Sequence, residues 1–327
     1  MQLLQRKKSV PRIMGIHVGR QALTLARIVV KDGVIVVREL FRELLPREPG
    51  GWPVEKVSTL LRRAKRQISL KSDVTRLTVC SDLAASHYFI LPPLKGEQLD
   101  SAVKLKLENK LNNSASEMSY QSATVERHGE RCRVFATSIP TQKLRLILGS
   151  FLEASCPVDS MEVEGVSVTN LLARAELVNG RPIGVMQINP DWSEVYIVVH
   201  KKLTLSRPIL KLEPAAAAAD DSDPPGSQPK DDPEGPSSHY LARIVREANK
   251  TLDYFEIELL SPAVERLLLF GQSALLAELP DYLAQQLELD VSVLGKVGAL
   301  EDETGEFEPT LHSLAVAAAA GGVKHAG

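Results

Sequence analysis

RIMGIHVGRQALTLARIVVKDGVIVVREL, residues 12–40, holds three adjoining runs (12–18, 22–30 and 34–40) of the aliphatic and β-branched residues that suit strands. Lys31-Asp32-Gly33, between the second and third runs, has the tight-turn chemistry of a hairpin. The same order returns in PIGVMQIN (182–189), SEVYIVVH (193–200) and LTLSRPIL (203–210). A helix and then a strand are expected after each triplet. In the first copy Val54, Val57, Leu61, Ala64 and Ile68 recur at helical spacing, with Arg62, Arg63, Lys65 and Arg66 on the other faces, before the strand TRLTVC (75–80). In the second, Leu241, Ile244, Val245, Ala248, Leu252 and Phe255 share one stripe, and ERLLLFG (265–271) reads as the buried strand. One unit read twice predicts an α/β chain of two related lobes facing a cleft.

The remaining segments fit around those lobes. After Pro92-Pro93, Leu99, Val103, Leu107 and Leu111 mark a helix. SYQSATVERHG and CRVFATSI then alternate as strands, and Leu144, Ile147, Leu148 and Phe151 mark another helix. The expected organisation is a first lobe over 12–92 plus 158–180, a small α+β subdomain over 93–157 inserted in it, and a second lobe over 182–212 plus 239–327. Residues 213–238 combine five alanines with many Asp and Pro and almost nothing bulky and apolar, which reads as a disordered acidic loop that cannot bury enough surface to order itself. Its role is that of a tolerated surface insertion or an acidic docking tail. In 163–174, Asn170 and Arg174 lie four apart on an expected helix and read as surface polar groups, while Glu162 and Glu164 read as polar residues on one face of a strand.

Composition narrows the function. The chain has 327 residues, 44% of them hydrophobic and 24% charged, enough for two domains with their own cores. A formal net charge of −2 and the lack of any aromatic-plus-basic cluster argue against nucleic acid as the partner. Cys80, Cys132 and Cys156 form no paired motif, which suits a reducing cytoplasm better than a disulfide framework. No apolar run approaches the roughly eighteen residues of a membrane span. The basic start, with Arg6, Lys7, Lys8 and Arg12, is either a frayed terminus or a segment drawn to an anionic membrane, where each such charge contributes about 1 kcal/mol.

GIHVGRQALTLARI (15–28), LPPLKGEQLDSAVKLKLENKL (91–111), VEGVSVTNLL (163–172) and LLLFGQSALLAELPDYLAQQL (267–287) resemble the PilM family. These are the cytoplasmic actin-like proteins of type IV pilus assembly, with relatives in FtsA of cell division and the cytoplasmic part of GspL in type II secretion. The resemblance spans nearly the whole chain except the 213–238 loop. It implies a duplicated actin-like (ribonuclease H-like) two-lobe fold, and in that superfamily two glycine-containing hairpins hold ATP phosphates while their aspartates organise Mg²⁺.

The chain departs from that chemistry at each element. The first hairpin reads His17-Val18-Gly19-Arg20, with imidazole, a poor ligand for hard Mg²⁺, in place of the carboxylate. Arg20 is either an attractor of anions or a plain turn residue. The second reads Asn189-Pro190-Asp191-Trp192-Ser193, where Pro190 removes a backbone donor and Asp191 adds negative charge. The adenosine-closing turn reads Phe270-Gly271-Gln272-Ser273-Ala274, keeping one glycine of the usual pair. If nucleotide is bound, the resemblance puts Gly19, Arg20, Ser193, Gly271 and Ser273 around it. The eroded motifs argue against hydrolysis, catalytic residues and a metal ligand set, and no HExxH, GxSxG or GKS/T run offers another chemistry.

The resemblance therefore implies a cytoplasmic scaffold at the inner-membrane platform of a type IV pilus or related secretion machine. Its implied partner is the cytoplasmic N-terminus of a PilN-like single-span membrane protein, received in a groove around Phe89, Leu99, Val103, Leu107, Val134 and Phe135. Self-association of the actin-like kind is a second expectation. The rival reading is an active ATPase driving assembly, and a small-molecule kinase of the same superfamily is a third.

Overall fold

Eleven residues from Val57 to Gln67 show how the chain builds its elements: Val57, Leu60, Leu61 and Ala64 are buried on one stripe, and the arginines and lysine between them take the solvent side. The structure, a computed structural model, describes residues 10–45, 56–111, 117–178, 180–189, 192–211, 236–259, 261–271, 279–295 and 298–321. The chain divides into one unit of Met1–Leu177 with Lys296–Gly327, and a second of Val178–Gly295. Among the described residues no helix is long and apolar enough to cross a membrane.

In the first unit the strands are β1 (Ile13–Val18), β2 (Ala22–Lys31), β3 (Val34–Leu44), β4 (Val74–Val79), β5 (Ala85–Leu91), β6 (Met118–His128), β7 (Arg131–Pro140) and β8 (Ser160–Val163). Its helices are α1 (Val57–Gln67), α2 (Glu97–Lys110), α3 (Thr141–Glu153) and α4 (Glu164–Arg174). The second unit holds β9 (Ile183–Asn189), β10 (Trp192–Val199), β11 (Lys202–Lys211), α5 (Pro236–Asp253) with a π-helical turn at Tyr254–Glu258, β12 (Arg266–Gly271), α6 (Leu279–Leu287) and β13 (Asp290–Val293). The chain then returns to the first unit with β14 (Leu300–Asp302) and α7 (Pro309–Ala320).

The large sheets share one topology. The first unit's order is β14-β3-β2-β1-β4-β8 and the second's is β11-β10-β9-β12-β13. In each, an antiparallel meander of three strands is extended from its first strand by two parallel strands: β1 pairs β2 antiparallel and β4 parallel, and β9 pairs β10 antiparallel and β12 parallel. Parallel neighbours need a crossover connection, which is why a helix follows each meander. Asp32 (φ 49°) and Gly33 (φ 82°) take the left-handed conformation at the β2–β3 turn, as the Asp-Gly pair predicts.

The C-terminal segment corrects the sequence expectation, which gave 239–327 whole to the second lobe. Instead β14 pairs in parallel with β3, and α7 packs on β1, β2, β4 and α4. Its run of small residues allows a close approach: a Cβ added at Gly15 of β1 would lie 1.9 Å from the Ala315 carbonyl oxygen and 2.6 Å from the Ala319 nitrogen. Ala315, Val316, Ala319 and Ala320 complete the core begun by Ile13, Ala26, Ile28, Ile35 and Val37. Pro236, Ser237 and Ser238, assigned by the sequence reading to the loop, open α5. The rest of that loop, 213–235, lies outside the described residues, as do Arg6, Lys7 and Lys8.

Candidate functional site

The first hairpin joins β1 to β2 through Gly19-Arg20-Gln21, closed by the Gly19 amide donating to the Ala22 carbonyl at 3.0 Å. His17, near the end of β1, is buried, and its Nε2 lies 2.6 Å from Oε1 of Glu164. Glu164 is the first residue of α4 and is 2% exposed, so this hydrogen bond helps to compensate its burial. The helix N-terminus adds a favourable field for the acid. Glu164 therefore corrects the sequence reading: β8 ends at Val163, and the side chain belongs to a helix start instead of a strand face.

Arg20 pairs with Asp82, Nε to Oδ2 at 2.8 Å. Its charge is directed to a carboxylate of the same unit. The buried Cys80 thiol is pushed well up, first by desolvation and then by the fields of Glu164 and Asp82. Gly19 sits against the imidazole: a Cβ there would lie 2.7 Å from His17 Cε1 and 2.9 Å from Nε2. That packing accounts for the glycine without a phosphate.

In the second unit Ile188 of β9 is the register partner of both Ser193 on β10 and Gly271 on β12. Ser193 is fully buried, and its Oγ has no hydrogen-bond partner among the described residues. Gly271, at φ 125°, has the Ile188 carbonyl oxygen 1.9 Å from where a Cβ would stand, so close strand pairing demands the glycine. Pro190, Asp191, Gln272, Ser273 and Ala274 lie outside the described residues. Among the described residues, the first hairpin directs its arginine to Asp82, and Gly19 and Gly271 both answer to packing.

The inserted subdomain is the sheet β5-β7-β6 with α2 and α3. Its core gathers Leu91, Val103, Leu107, Cys132, Val134 and Ala136, with Phe89, Leu99, Ala102, Leu111 and Tyr120 packed partly buried against it. Of the residues expected to line a groove, Val103, Leu107 and Val134 are fully buried and fill this core. Phe89 pairs in register with Val134, and Phe135 with Tyr88. Alternation along the strand therefore puts Phe135 on the opposite sheet face from Phe89 and Val134, where its ring stands 5.2 Å from that of Tyr88. The six do not form one surface. Phe89 and Leu99 are the two left partly exposed on a shared face, and β5 and β6 each have one edge without a partner strand among the described residues.

Asn170 and Arg174, expected as surface groups, are half-buried and hydrogen-bonded. Asn170 Nδ2 lies 3.4 Å from both oxygens of Glu162, Ser167 Oγ donates to Glu162 at 2.5 Å, and Arg174 donates from Nε and Nη2 to the Ala320 carbonyl that ends α7. Desolvation pushes the Glu162 carboxyl up to about 7 despite these donors. The sequence carried one usable signal for the pair at the hairpin. An acid placed where a strand gives way to a helix, as in MEVEGVS, is an N-terminal helix residue that a buried base on a neighbouring strand can meet.

A meander of three strands followed by helix and parallel strand, present once in each unit, defines the class of proteins with the actin-like ATPase fold. Within that class the chain is similar to a chain of the PilM-PilN type IV pilus biogenesis complex, at TM-score 0.70 and 18% identity over 95% of this chain and 98% of that one. It is also similar, at TM-score 0.51 and 9% identity over 91% and 96%, to a Bacteroides thetaiotaomicron protein described as having an actin-like ATPase fold and unknown function. No protein-family model matches the sequence, and no curated protein matches it.

Proposed function

We propose that the protein is an actin-like scaffold of a type IV pilus or related inner-membrane assembly platform, working at the cytoplasmic face by binding the cytoplasmic N-terminus of a PilN-like membrane protein. The observation that carries this reading is the fold match, over nearly the full length of both chains, to a chain of a PilM-PilN complex. The first hairpin supports the scaffold over the ATPase alternative. Arg20, the cation of that turn, is already paired with Asp82, so an anion there would have to displace that carboxylate.

The inserted subdomain is the docking place in this reading. An extended peptide beside β5 obtains backbone hydrogen bonds from the strand and apolar contacts from Phe89 and Leu99. The test is calorimetric titration of the full chain with the cytoplasmic N-terminal peptide of a PilN-like membrane protein from the same organism. Saturable binding that weakens in Phe89→Ala and is indifferent to ATP is the expected result. Failure of the intact protein to bind that peptide would overturn the proposal.

A further inference from the structure

The helices α1 and α3 pack against one another, Val57, Leu60, Leu61 and Ala64 of the first and Ile147 and Phe151 of the second being buried. α1 carries Arg62, Arg63, Lys65 and Arg66 and no acid, and α3 adds Lys143 and Arg145, against Glu153 at its end. Glu43 of β3 engages Arg63. Beside these cations α3 leaves three leucines in solvent, Leu146 at 54%, Leu148 at 36% and Leu152 at 69% exposure. Leu148 and Leu152 are four apart and so form one row along the helix. A chain whose formal net charge is −2 thus gathers cations and exposed leucines on two adjoining helices.

We infer that the adjoining outward faces of α1 and α3 are a docking surface for an anionic lipid membrane. The composition is that of an interfacial amphipathic helix, leucines entering the headgroup boundary while arginines and lysines stay with lipid phosphates. The long aliphatic stems of Arg62 and Arg66 let the charged ends reach headgroups while the helix axis lies lower. A bilayer asks for charge complementarity and apolar area without a shaped pocket, which is what two parallel rows of exposed side chains provide. A second copy of this chain would answer the same exposed leucines, and self-association is an outcome of the test. The inference does not rest on the pilus reading: peptide docking involves the β5 strand, and lipid docking involves α1 and α3.

Sedimentation of the full chain with phosphatidylcholine vesicles, with and without phosphatidylglycerol, tests it. Binding is expected only to the anionic vesicles and should fade as salt is raised, since surface charges are screened within a Debye length. Loss of two cations each contributing about 1 kcal/mol lowers vesicle partitioning roughly thirtyfold, so Arg62→Glu with Arg66→Glu should abolish it. Leu148→Ser with Leu152→Ser should weaken binding at constant charge, and Lys31→Glu, on the β2 end, should leave it unchanged. Each variant is checked for an unaltered melting curve, because all five positions are solvent-exposed. Wild-type protein that ignores anionic vesicles, binding that survives both double variants, or a face that yields only concentration-dependent self-association would each overturn the inference.

Discussion

Nε2 of His17 and Oε1 of Glu164 lie 2.6 Å apart across 147 residues of sequence, joining the end of β1 to the first residue of α4 in a buried hydrogen bond. Glu164→Ala removes the acceptor and leaves the imidazole unsatisfied, so the first unit should lose about 2 to 3 kcal/mol of stability. Glu164→Gln keeps an acceptor oxygen and should cost less. Scanning calorimetry of the full chain, following the transition of the first unit, separates the two.

Gly19 and His17 should prove energetically coupled. A methyl at Gly19 lands 2.7 Å from the imidazole, so Gly19→Ala alone should destabilise by about 1 to 3 kcal/mol. In a His17→Ala background the obstruction is gone and the same change should cost much less. Additive effects in this double-mutant cycle would refute the packing explanation of the glycine.

Glu162 gives the first unit a pH dependence of known sign. Its folded value, about 7, is raised above the ordinary 4.5, so between those values the folded state holds a proton that the unfolded state has released. Stability from this group is therefore full below about 4.5 and falls as pH rises toward 7. His312, lowered mainly by burial, works in the opposite sense, its contribution being lost as pH falls. The difference in melting temperature between wild type and Glu162→Gln isolates the carboxyl: the variant should gain on wild type steadily from pH 5 to 8.

Two glycines should respond oppositely to alanine. Gly15→Ala drives a Cβ into the Ala315 carbonyl and should detach α7 from β1, at a cost of several kcal/mol or failure to fold. Gly149, inside α3, has nothing within 4 Å of a new Cβ, and Gly149→Ala should stabilise by about 0.5 to 1 kcal/mol through helix propensity. Urea titrations of both variants check the contrast.

Millimolar ATP with Mg²⁺ should not raise the melting temperature of the purified chain, because a ligand stabilises only the state it binds. A clear upward shift, reproduced in Arg20→Ala, would place nucleotide somewhere other than the first hairpin. A shift abolished by Arg20→Ala would restore the ATPase reading.

The extent to which the chain can be read from its residues varies with the range of the interaction. Apolar periodicity in 13–44 and 183–211 is a property of neighbours along the chain, and the strands it predicts are there. The duplicated order of strand, strand, strand, helix, strand is legible for the same reason. The groove residues were less so: Phe89, Val134 and Phe135 are all apolar in sequence, and only the register of β5 on β7 reveals that Phe135 turns the other way.

The sequence by itself determined the elements and their repetition, because propensity, alternation and turn chemistry act over a few residues. Tertiary structure alone decided that residues 300–320 close the first sheet, that Glu164 meets His17, and that Arg20 meets Asp82. The physical reason is shape and charge complementarity between segments far apart in the chain. A row of alanines fits wherever a glycine strand offers room, and a buried acid settles where a base can satisfy it; neither partner is marked in the local pattern.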